Sequence, residues 1–95
     1  MKDILKYIES LENLVIEIQN ELTKLPAIAP ESGGQGEYKK FLYLKKLIEN
    51  WGFDSIETLD VEDSRVESKK RPSLIASING KTKKNLWIIT HTDVV

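Results

Sequence analysis

The stretch Leu86-Trp87-Ile88-Ile89-Thr90 constrains the fold more than any other part of the chain. It is a continuous apolar run between the polar connection Lys81–Asn85 and the polar His91-Thr92-Asp93. A strand covered on one face alternates apolar with polar residues; an unbroken run is expected of a strand covered on both faces. Covering both faces takes layers, and two upstream segments have the amphipathic character such layers need. Ile4, Ile8, Leu11, Val15, Ile18, Leu22 and Leu25 recur at alternating steps of four and three, and Leu5, Leu14 and Ile16 widen the stripe. Lys6, Glu9, Glu12, Glu17 and Glu21 fall largely on the opposite side, so the spacing predicts a helix over about 2–25. Pro26 and Pro30 stop it, because proline removes a donor and pushes its predecessor out of helical geometry.

Pro26 to Gly36 reads as a loop. A second helix is predicted over about 37–51. Tyr38, Phe41, Leu44, Leu47, Ile48 and Trp51 share one side, Glu37 stands in the first turn, and Gly52 is placed as a left-handed C-terminal cap. Strands are predicted over about 53–61, 73–78 and 86–90, the second closed by Asn79-Gly80. Trp51, Trp87 and Tyr38 are expected in the core. The order helix, helix, strand, strand, strand predicts an α/β fold with two helices followed by three strands of a mixed sheet.

Composition removes several classes of function. The 95 residues contain no cysteine, which excludes disulfides, thiol catalysis and Cys-ligated zinc. Fourteen basic and 15 acidic side chains give a net charge of −1, so no global field draws in nucleic acid or an anionic membrane. No apolar run approaches the roughly 18 residues of a membrane span, and the start lacks a secretory core. The expectation is a soluble cytoplasmic chain. Charge is uneven along it: five acids and no bases lie between Asp54 and Asp63, and seven bases face only Glu67 from Arg65 to Lys84. Without interleaved aromatics this is no stacking platform for nucleic acid, and two solvated loops are expected. Ser32-Gly33-Gly34-Gln35-Gly36 lacks the Lys-Ser/Thr of a Walker loop and reads as a flexible connector.

The constellation with catalytic character is His91-Thr92-Asp93. Residues i and i+2 of a strand point the same way, so imidazole and carboxylate would project together. They stand at the C-terminal end of the buried run, where ligands collect in open α/β sheets. A neutral imidazole ligates zinc well, and a carboxylate beside it can orient the ring and raise its basicity. The tripeptide alone is also common as two solvated side chains.

The wider pattern is more specific. Arg71-Pro72-Ser73-Leu74-Ile75-Ala76-Ser77-Ile78-Asn79-Gly80, followed by Leu86 to Val95, resembles the N-terminal half of the catalytic domain of M20-family metallopeptidases. That group holds the acetylornithine deacetylase, succinyl-diaminopimelate desuccinylase and carboxypeptidase G relatives. Its signature is an Arg-Pro-Asn-Leu-like strand, a Gly turn, and an apolar strand ending in Gly-His-x-Asp-Val-Val-Pro. The opening helix, Ser32-Gly33-Gly34 and Trp51-Gly52-Phe53 are also similar to that family's start, so the resemblance covers essentially all of 1–95. Thr90 departs from the usual glycine and Ser73 from the usual asparagine, which leaves the substrate open.

The resemblance implies the N-terminal piece of a hydrolase of amide bonds in N-acyl amino acids or short peptides. Such an enzyme carries two zinc ions, replaceable by cobalt, which polarise the carbonyl and lower the pKa of the bridging water. His91 matches the first metal-binding histidine, and Asp93 the aspartate that clamps it and is treated as catalytic. The remaining ligands and the general base follow this motif in the family. The 95-residue chain is therefore predicted to be inactive and to hold zinc weakly. The alternative is a non-catalytic interaction module that self-associates through the amphipathic helix Ile4–Leu25.

Overall fold

A computed structural model describes residues 1–94. The chain opens with two helices, α1 (Lys2–Ser10) and α2 (Glu12–Lys24). A 3-10 turn at Pro30–Ser32 leads into α3 (Tyr38–Ile48), and a hairpin of β1 (Ser55–Glu62) and β2 (Lys70–Ser77) follows. The fold is α/β, with three α-helices and a two-stranded antiparallel sheet among the described residues.

The single helix expected over 2–25 is broken at Leu11, whose backbone (φ −87°, ψ 0°) leaves helical geometry. The cause is local. The Ser10 hydroxyl donates to the carbonyl of Tyr7, offering the backbone a competing bond. The Leu11 amide then reaches back three residues, to Ile8, rather than four. The ladder resumes at Val15, whose amide donates to Leu11. α3 ends at Ile48, short of the predicted 51, with Glu49 as its cap; Gly52 takes the expected left-handed φ of +84° but in the turn beyond the helix, not as its cap.

β1 and β2 pair in continuous register from Ser55 opposite Ser77 to Glu62 opposite Lys70. α3 lies on β2. Phe41 and Ile48 are buried there, and the Tyr38 ring stacks on Phe41 at 5.9 Å between centroids. The Lys70 amine sits 5.5 Å from the centre of the Tyr38 ring, a cation–π distance. The segment between the strands, polar but for Val66, folds around that side chain, which is 1% exposed. The Asp63 amide donates to the Lys69 carbonyl, and Lys69 adopts φ +60° to return the chain to β2.

Among the described residues the third strand and the mixed sheet are not found. Leu86 and Ile89 are 88% and 87% exposed, and residues 86–90 enter no ladder. A strand is held by a neighbour that takes its backbone bonds, and among the described residues nothing lies alongside this run. Trp87 and Trp51 accordingly stand exposed rather than in the core, whereas Tyr38 is half-buried. No helix among the described residues is long and apolar enough to cross a membrane.

Candidate functional site

Residues 27–29 and 94 position the candidate site. The Val94 amide donates to the Ala27 carbonyl at 2.8 Å, and the Ala29 amide donates to the Val94 carbonyl at 3.0 Å. This parallel clip holds the end of the segment carrying His91 and Asp93. Residues 27–29 are fixed in turn by the glycine-rich loop, since the Gly36 amide donates to Ile28 and the Gly34 amide to Ala29. The stretch expected to be a flexible connector is therefore a packed turn.

The structure brings the two predicted site residues together. The Nδ1 atom of His91 lies 3.0 Å from the Asp93 carbonyl oxygen and 3.3 Å from Asp93 Oδ1. Two acceptors on one ring nitrogen favour a proton there, which leaves the Nε2 lone pair free on a side chain 84% exposed. Beside the pair runs a shallow cleft of about 210 Å3 between α2 and residues 91–94, lined in part by Gln19, Thr23, Lys40 and His91.

Asp93 also meets a network that sequence reasoning missed. Arg71 Nη2 lies 3.5 Å from Asp93 Oδ2. The same guanidinium grips buried Glu37: Nε donates to both carboxylate oxygens at 3.0 and 2.9 Å, and Nη2 approaches Oε2 at 2.8 Å. Its Nη1 lies 3.7 Å from Asp63, which Arg65 engages with two side-chain bonds of 2.8 and 2.7 Å. Arg65 extends the chain of charges to Glu31 at 3.1 Å. Hydrogen bonds from Arg65 hold the Asp63 carboxyl well below the usual carboxylate range, and Asp63 in turn raises Arg65. Glu37 raises Arg71. The Glu31 carboxyl is lowered by its own backbone amide and by Arg65.

A metal centre asks more than this donor set supplies. Zinc takes three or four protein ligands at a structural or catalytic site, and among the described residues no three His, Cys, Asp or Glu side chains converge on a point. His91 offers one nitrogen, and Asp93 is occupied by the imidazole and Arg71. The residues present fit one ligand position with its orienting carboxylate, not a complete site.

No family model and no solved structure matches the chain. It is similar to two curated archaeal proteins. One, an uncharacterized metallohydrolase of Methanococcus maripaludis, is 26% identical over 91 residues, covering 92% of this chain and 22% of the relative. Another, an uncharacterized metallohydrolase of Methanocaldococcus jannaschii, is 31% identical over 84 residues, covering 84% of this chain and 20% of the relative. The chain thus spans about a fifth of the length of the curated relatives it matches.

Proposed function

We propose that this chain is the opening part of the catalytic domain of a metallohydrolase of the M20 type. Its substrates would be amide bonds in N-acyl amino acids or short peptides, and its metal zinc. One observation carries the reading: an imidazole whose Nδ1 is held by Asp93 while Nε2 faces solvent. That is the arrangement of a histidine oriented for metal by an acceptor behind it, here the Asp93 main-chain carbonyl with the carboxylate beside it. The names of the two relatives support the hydrolase class and a metal ion. In this reading His91 is a metal ligand, Asp93 orients it, and the 95-residue chain hydrolyses nothing unaided because it holds a single ligand position.

Calorimetric titration of the chain with Zn2+ tests the last point. Binding weaker than micromolar is expected, and stoichiometric sub-micromolar binding would overturn it. In a protein extended through the reading frame past Val95, Asp93→Asn is expected to cost about 10–100-fold in metal affinity or activity, the usual cost of losing an outer-shell partner. Wild-type metal content and rate in that variant would remove Asp93 from the site.

A second reading, an interaction module that self-associates through Ile4–Leu25, is favoured by one observation. α1 buries none of its residues, and Ile4, Leu5 and Ile8 of its apolar stripe are each more than half exposed.

A further inference from the structure

We propose that Arg71 is a positioning residue for the His91–Asp93 pair, with Glu37 as its anchor. The inference rests on reading that pair as the site. Asp93 divides its carboxylate: Oδ2 faces Arg71 at 3.5 Å and Oδ1 faces the imidazole at 3.3 Å. A carboxylate restrained at one oxygen fixes the residue whose main-chain carbonyl lies 3.0 Å from Nδ1, and it keeps the anionic Oδ1 beside the same nitrogen at 3.3 Å, so both favour a proton there. That proton placement leaves Nε2 as the open nitrogen.

Arg71 can do this because it is itself immobilised. Three contacts of 2.8–3.0 Å tie it to Glu37, at the start of α3, and its own backbone is fixed in β2 opposite Val61. Gly36 lies directly beneath it: a Cβ there would stand 3.3 Å from Arg71 Nε, so the guanidinium lies close against bare backbone. The planar fork lets one side chain hold Glu37 and still reach Asp93, which a single amine would not. Helix, hairpin and site segment thereby share one side chain, and the orientation of His91 is set from α3. A purely structural Arg71 would tie α3 to β2 and leave the imidazole indifferent to its loss.

The test reads the His91 tautomer by nitrogen-15 NMR on the 95-residue chain at about pH 8.5, above the ordinary imidazole range. Cross-strand amide contacts between β1 and β2 serve as the control for folding. The wild type is expected to show a pyrrole-type Nδ1. Asp93→Asn removes the carboxylate charge but keeps the main-chain carbonyl at 3.0 Å, and is expected to move Nδ1 part of the way toward the pyridine type. Arg71→Gln is combined with Glu37→Gln, so that no buried carboxylate is left unpaired; it is expected to move Nδ1 the same way with the hairpin intact. If Asp93→Asn shifts the tautomer and the double variant does not, Arg71 has no positioning role and the pair stands. If Asp93→Asn also leaves it unchanged, the pair fails and the inference with it. Should the double variant not fold, Arg71→Lys decides: partial loss of the Nδ1 proton supports the proposal, and full retention overturns it. Since no readout needs metal or turnover, a failed metallohydrolase assignment is told apart from a failed Arg71 role.

Discussion

Gly34 has no room for a side chain. A Cβ there would stand 2.1 Å from the Ile28 carbonyl oxygen and 2.5 Å from the Ile28 carbonyl carbon, both backbone atoms that cannot swing aside. Gly34→Ala must therefore push Ile28 away, and with it the strand-like contact of Ala27 and Ala29 with Val94. The expected cost is about 1–3 kcal/mol, as for overpacked sites, read as a lower urea midpoint. Gly33, with nothing within 4 Å of its Cβ position, would not show this clash. At this scale the sequence was legible where a residue's chemistry is local. Gly52 takes the left-handed backbone its glycine allows, although Glu49 and not Gly52 is the cap of α3, and His91 and Asp93, two apart, do meet. Glu37 was not legible. Its place in a first helical turn suggested interaction with the helix N-terminus, but its carboxylate is spent on Arg71, far along the chain. No spacing rule links those two positions.

The hairpin accounts for part of the uneven charge. Antiparallel pairing folds the acidic block at Asp54–Asp63 back onto the basic residues that follow, so that Asp60 meets Lys70 at 3.2 Å. Part of what reads along the chain as two solvated loops is thus cross-strand complementarity in the sheet, while Lys81, Lys83 and Lys84 lie exposed beyond β2. Its loop is closed by Asp63, whose carboxyl Arg65 holds below the ordinary value of 3.8. A group whose pKa is lowered by folding contributes stability that is complete above its unfolded value. That contribution is lost as pH falls from there through the folded one. Stability to urea is therefore expected to be level above about pH 5 and to fall below about pH 4, and Asp63→Asn to flatten that fall. An unchanged acid limb in the variant would show that Asp63 is not its source. Element types were legible from periodicity, whereas their limits followed from local competition. Ser10 breaks the first helix through a bond to Tyr7, which the apolar stripe, continuous across Leu11, does not register. Leu86–Ile89 has the composition of a buried strand, but composition states what a segment requires of its neighbours and not whether they are present.

The whole molecule is loosely drawn together. Its radius of gyration is 15.8 Å, against about 12 Å for a compact domain of this length. The buried apolar residues among those described are Ala27, Phe41, Ile48 and Val66, while Ile4, Leu5, Ile8, Val15, Leu86 and Ile89 stand in solvent. Apolar surface on this scale favours association. Light scattering behind a sizing column is expected to give a mass that rises with concentration, and Ile4→Glu with Ile8→Glu to return it toward the monomer. A wild-type monomer at every concentration would count against the self-associating reading. The contact between Ala27–Ala29 and Val94 has a kinetic consequence as well. The hairpin closes a short loop and can form early. The clip joins residues separated by most of the chain, so its closure carries a large entropy cost and few contacts to offset it. The segment bearing His91 and Asp93 should thus be the last part to dock during folding and the first to detach. Amide hydrogen exchange would report this as weak protection at Val94 and Ala29 beside stronger protection in the hairpin.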